Sequence, residues 1–123
     1  NIQVKSLVRS IDILPTLLDI LKIPHKGGYK EIQGKSFLPF LYGNEEQRAA
    51  YSETGGLGGP TPSPEIHNVQ SLRTNAWKII FNKTTSKREL YHIKEDAEEK
   101  NNLAGTGLEI EGELWNEMQR MEQ

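Results

Sequence analysis

Ser10-Ile11-Asp12-Ile13-Leu14-Pro15-Thr16-Leu17-Leu18-Asp19-Ile20-Leu21 is the most apolar run in the sequence, and its periodicity is helical. Ile11, Leu14, Leu18 and Leu21 recur on one stripe, which Ile13, Leu17 and Ile20 widen. Ser10 can cap the first turn, and Asp12 suits the positive end of the helix dipole. Pro15 has no N–H to offer a carbonyl four residues back, so the spacing predicts a 3₁₀-like opening turn that holds Pro15, then a regular helix. Lys22 and Pro24 close the segment. A helix with so wide an apolar face has to be buried against something large.

The rest of the chain sets what that something can be. A length of 123 residues allows one domain of ordinary size. A formal charge of −2 lacks the basic face that a nucleic acid or an anionic membrane surface requires. With no cysteine there is no disulfide, thiolate metal site or cysteine nucleophile. No apolar run approaches the roughly 18 residues of a membrane-spanning helix. Residues 4–9 alternate like a strand running straight into the helix, which is half of a βα unit. A strand without lead-in, opening on Asn1, is expected of an excised piece of a longer protein.

Residues 23–33 read as loop, and Gly34 to Gly43 as a compact apolar turn of helix broken by Pro39. After the polar joint 44–48 the pattern changes to strands at 49–54, 69–73, 76–82 and 89–93. Trp77, Ile79 and Phe81 share one face. Between the first two strands, residues 55–68 hold four Gly and three Pro, and loops of this length are commonly functional. A final helix from about Leu108 to Glu122 places Ile110, Leu114, Met118 and Met121 on one side with Trp115 beside them. The expected fold class is therefore α+β. One strand and helix form the end of a larger α/β domain over 1–48, and a four-stranded antiparallel sheet packed by a C-terminal helix occupies 49–123.

The motifs have a recognisable order. Ser10-x-Asp12-Ile13-x-Pro15-Thr16-Leu17-Leu18-Asp19 is followed by Gly34-Lys35-Ser36-x-Leu38-Pro39-x-Leu41-x-Gly43. Tyr51-Ser52-Glu53, Leu72-Arg73-Thr74-Asn75-x-Trp77-Lys78-Ile79-Ile80, Glu89-Leu90-Tyr91 and Asn101-Asn102-Leu103 complete it. This resembles the C-terminal portion of the sulfatases, within the alkaline-phosphatase-like superfamily, over roughly residues 6–104. Lys22 stands where glycine commonly ends the helix, His92 where aspartate often follows Leu-Tyr, and Ala97 where proline is usual.

The resemblance implies a parent that hydrolyses sulfate esters with calcium and a formylglycine nucleophile, both supplied upstream of this region. Formylglycine arises in a Cys/Ser-x-Pro-x-Arg motif, and no serine here has proline two positions on. Cleavage needs an activated nucleophile and concentrated positive charge on the sulfuryl oxygens, and no constellation in the sequence supplies both. The expected partners are thus the rest of a sulfatase chain and its sulfate-ester substrate. An isolated chain is expected to self-associate through the face of 11–21. A related phosphodiesterase or phosphomutase and a non-catalytic binding module are the competing readings.

Among candidate residues, His67 with Glu65 and Asn68 could rim the substrate cleft, as C-terminal loops of this kind do in sulfatases. Gly55 to Gly59 lacks the Gly-Lys-Ser/Thr of a phosphate loop. His25, His67 and His92 show no metal-ligand spacing. Arg73 and Lys78 are expected to pair with Glu53 or Glu89 across the sheet, and Asp12 is expected to serve the helix N-terminus. Asn82-Lys83-Thr84 is a glycosylation sequon on an expected hairpin.

Overall fold

The computed structural model describes residues 3–24, 32–54 and 68–122. The chain divides into two compact units, Asn1–Arg48 and Ala49–Gln123.

In the first unit a 3₁₀ turn, Ser10–Asp12, opens into α1, Ile13–Ile20. The opening turn has the expected 3₁₀ geometry, but Pro15 falls one element later, as the third residue of α1, where a missing N–H costs no helical bond. Arg9 rather than Ser10 occupies the cap position, because the Asp12 carboxylate accepts the Arg9 backbone N–H at 3.1 Å and starts the turn one residue early. Residues 4–9 form no strand among the described residues, contrary to the alternation. A strand exists only beside a hydrogen-bonded neighbour, and this segment is held instead through buried Ser6, whose Oγ accepts the Glu46 N–H at 3.2 Å. The apolar run after Gly34 forms a second 3₁₀ helix, Leu38–Tyr42, ended by Gly43 at φ 87°.

The orientation of α1 inverts the usual rule for a globular helix. Pro15 and Thr16 are its buried residues. Leu14, Leu17 and Leu21 are 53%, 49% and 65% exposed, and Val8, Ile11, Ile13, Ile20 and Ile23 are exposed with them. The stripe that should drive burial faces outward, and exposed apolar side chains in such number are of the kind that mark an interface.

The second unit is a four-stranded antiparallel meander in the order β1-β2-β3-β4, with β1 at Ala50–Thr54, β2 at Val69–Arg73, β3 at Trp77–Asn82 and β4 at Lys87–His92. Helix α2, Glu109–Met121, packs on β2 and β3. Leu72, Ile79 and Leu90 meet Leu114 and Met118 in a closed core, and Trp115 stacks edge-on against Phe81 at 4.8 Å while the Arg88 guanidinium covers its ring at 3.8 Å. Thr74 builds the β2–β3 turn, its Oγ1 accepting the Trp77 N–H at 3.0 Å. The outer edge of β4 is capped at Leu90, whose N–H donates to the Asn102 side chain at 3.0 Å and whose carbonyl accepts the Leu103 N–H at 2.8 Å. An open edge invites pairing with another chain, and Asn102 and Leu103 occupy it at Leu90.

Helix α1 ends in a Schellman closure: Ile23 N–H donates to the Leu18 carbonyl at 2.9 Å and Lys22 N–H to the Asp19 carbonyl at 3.1 Å. That geometry puts Lys22 at φ 54°, a left-handed conformation where any side chain is strained. Lys22→Gly is therefore expected to stabilise the first unit by about 1 kcal/mol. Slower hydrogen exchange at the Leu21 and Ile23 amides checks it, and faster exchange contradicts it.

Candidate functional site

The densest polar constellation among the described residues surrounds Asp12, which is 0% exposed. Its carboxylate accepts hydrogen bonds from the Arg9 amide at 3.1 Å, Arg9 Nε at 3.1 Å, Arg9 Nη2 at 2.8 Å, the Lys35 amide at 2.9 Å and Arg48 Nη1 at 3.1 Å. Burial by itself would raise the carboxyl pKa, but the Arg9 side chain and the Lys35 and Arg9 amides outweigh it and hold the group well below the usual carboxylate range. Arg48 is equally committed. Its Nε and Nη2 donate to Glu46 at 3.3 and 3.0 Å, Nη1 also to the Lys35 carbonyl at 3.0 Å, and Nη2 also to the Ser36 carbonyl at 3.1 Å. The Phe40 ring lies 4.5 Å from its guanidinium carbon.

Local sequence explains how these groups meet. Thr16, one turn beyond Asp12, donates its hydroxyl to the Asp12 carbonyl at 2.6 Å and accepts the Phe37 N–H at 3.0 Å, tying α1 to the second 3₁₀ helix. Gly34 crosses so close to the Ile11 carbonyl that a Cβ there would sit 1.8 Å from its oxygen. Ile11 is the residue four before Pro15, so Pro15 offers its carbonyl no N–H, and the chain crosses there. Glycine is thus required, and it delivers the next residue's amide to Asp12. The Asp-x-x-Pro-Thr and Gly-Lys-Ser motifs are two halves of one packing arrangement.

The charged groups of this constellation are spent on one another. A guanidinium carries five N–H donors, and all five of Arg48 are used within the unit, so none can grip a sulfuryl oxygen. Asp12 has no lone pair left for a cation, so these residues do not fit a calcium ion, and with no cysteine and no Ser-x-Pro in the sequence they do not fit a formylglycine. A hollow of about 1040 Å³ beside them is lined by Lys35, Ser36, Asn44, Glu45, Glu46 and Arg48. Lys35 pairs there with Glu46 at 2.6 Å, so the hollow offers no concentrated positive charge.

Glu65, His67 and His25 lie outside the described residues. Asn68 is exposed, and its carbonyl accepts the Lys83 N–H at 2.8 Å, which sets the end of the 55–68 segment beside the β3–β4 hairpin. The expected cross-sheet pairs are replaced. Lys78 pairs with Glu99 at 2.8 Å, whereas Glu53 accepts from Tyr51 and Glu89 from Tyr91. The register explains this: Arg73 and Lys78 face each other across β2 and β3, leaving acidic partners to other segments. Tyr51 also accepts from buried Gln70 at 2.7 Å. Burial, then the Glu53 carboxylate, pushes its hydroxyl up to about 12, so it stays protonated and cannot act as a base near neutral pH. Arg9, Arg48 and Gln70 carried no sequence signal. Arg48 lies 36 residues from Asp12 in a joint that reads as solvated, and no spacing rule connects the two.

Because Asp12 has a depressed pKa when folded, its stabilisation is present above the ordinary value of 3.8 and is lost as pH falls below it. Asp12→Ala leaves buried Arg48 with Glu46 as its one remaining counter-charge and takes the acceptor from the Arg9 and Lys35 amides, and is expected to cost about 2–3 kcal/mol. Trp77 and Trp115 both report on the second unit, so hydrogen exchange at the Lys35 and Phe37 amides is the readout. Protection unchanged in the variant, or constant from pH 6 to pH 3 (about one unit below the ordinary carboxylate value) in the natural protein, contradicts the assignment.

Residues 1–123 match the family described as N-sulphoglucosamine sulphohydrolase, C-terminal. Arylsulfatase K of Bos taurus is 32% identical over 93% of this chain and 22% of its own length, and arylsulfatase K of Gallus gallus is 32% identical over 83% and 19%. The chain thus spans about a fifth of the length of the curated relatives it matches. The solved structure of BT4656 in complex with its substrate D-glucosamine-2-N,6-O-disulfate superposes with a TM-score of 0.70 at 25% identity, covering 89% of this chain and 23% of that one. With every residue inside the family's span, the chain belongs to the sulphohydrolase C-terminal family and is a sulfatase C-terminal domain.

Proposed function

We propose that this chain serves as the C-terminal part of a sulfuric ester hydrolase several times its length, completing that enzyme's fold without supplying its reactive groups. Residues 1–48 end the large catalytic domain, and residues 49–123 form the smaller subdomain. The observation that carries this reading is the inverted helix α1, whose apolar stripe lies outside while Asp12, Pro15 and Thr16 lie inside. The Asp12–Arg48 brace fixes that orientation, and an exposed stripe of this size is the surface a larger domain would cover.

The nucleophile and the cation site are assigned to the upstream part. The substrate class is a sulfate ester, and the complex of BT4656 with a disulfated glucosamine makes a sulfated sugar the first to try. The 55–68 segment, with Glu65, His67 and Asn68, is assigned to the rim of the cleft. It would contact the sugar rather than the sulfur, and would therefore affect binding and selectivity more than bond cleavage.

Two measurements test this. The isolated chain is expected to show no turnover of an aryl sulfate, and any activity that survives repurification overturns the assignment. In the longer enzyme, His67→Ala is expected to raise KM or change the preference among sulfated sugars by about tenfold, on the scale of one lost substrate hydrogen bond, with kcat and thermal midpoint little changed. Unaltered kinetics on every sulfated sugar the enzyme accepts would remove His67 from the rim.

A further inference from the structure

We propose that Asn82 is an acceptor for an N-linked glycan. Asn82-Lys83-Thr84 is the one Asn-x-Ser/Thr sequence in the chain, and the structure puts it where such a site has to be. Asn82 is the last residue of β3, half-buried and paired in register with Val69 and Lys87, and Thr84, Thr85 and Ser86 form an exposed turn directly after it. The Asn82 Oδ1 accepts the backbone N–H groups of Thr84 and Thr85, each at 3.0 Å. That bond orients the carboxamide and leaves Nδ2 with no partner among the described residues, and Nδ2 is not a buried atom. The Thr84 hydroxyl is likewise without a partner among the described residues.

Lys83 between them is the first residue of the turn, and its ammonium pairs with Glu122. The nucleophilic nitrogen is thus followed two residues on by a hydroxyl in an exposed turn, with the middle side chain held by Glu122.

The co-reactant is an oligosaccharide carried on a lipid diphosphate. The Nδ2–C1 bond forms as the bond from C1 to the diphosphate oxygen breaks. The lipid diphosphate leaves with the bonding pair, and one Nδ2 proton passes to a base of the transferring enzyme. The consequence for the protein is spatial: a glycan at Asn82 keeps the end of the sheet bearing Val69, Asn82 and Lys87 in solvent. The site is independent of the sulfatase reading.

The test uses the full chain behind a secretion signal in cultured animal cells, with a second acceptor tripeptide appended at its C-terminus to mark molecules that crossed into the glycosylating compartment. Among molecules carrying the marker glycan, the natural sequence is expected to carry two glycans sensitive to peptide N-glycosidase. Asn82→Gln and Thr84→Ala are expected to carry one, and Thr84→Ser two. A single glycan on the natural sequence, or a second glycan that persists in Asn82→Gln, overturns the assignment.

Discussion

The bonds that converge on Asp12 determine what the first unit presents to its surroundings. A fully buried carboxylate is tolerated only when its charge is matched and its lone pairs are filled. Here two arginines and two backbone amides do both. Meeting that requirement turns the Asp12-Pro15-Thr16 edge of the helix inward, against the Gly34–Phe40 segment. The Leu14-Leu17-Leu21 edge then has nowhere to go but out. Electrostatic satisfaction inside the unit and apolar exposure outside it are one constraint seen from two sides.

The second unit solves a different problem with similar means. Its apolar core closes on itself beneath α2, so stability there does not call for an outside partner. What remains is to finish the backbone hydrogen bonds, and short polar side chains do so. Thr74 supplies an acceptor in the β2–β3 turn, Asn102 an acceptor on the edge of β4, and Asp96 accepts the Lys100 and Asn101 amides at 3.0 and 2.8 Å. Thr74 and Asn102 are also letters of the sequence motifs. Each replaces a backbone partner that the chain itself does not provide.

Much of this was legible in advance, and the limits are physical. The strands, α2 and the shared face of Trp77, Ile79 and Phe81 follow from periods of two and 3.6 residues, which depend only on local pattern. The strand over 4–9 was misread because alternation reports a favourable side-chain pattern and not the presence of a neighbour. The pairing of Lys78 was misread because charge proximity was inferred before register, and the register set Lys78 against Arg73. The brace was invisible because its members come from residues 9, 12, 35 and 48, and nothing periodic links them. Lys22 shows the opposite case: a departure from the glycine common in the family falls on a residue whose φ is 54°, so the strain was readable from the resemblance once the helix end was known.

The apolar edge of α1 is the test of the whole account, because the two settings make opposite demands on it. In the isolated chain Leu14 and Leu17 are half-exposed, so Leu14→Glu with Leu17→Glu should leave α1 folded and abolish self-association in sedimentation velocity. In the full-length enzyme the same pair would bury two charges at the seam with the large domain and should destroy folding and sulfatase activity together. A full-length double variant that folds and turns over normally would mean that the outward face meets nothing, and the account would fail.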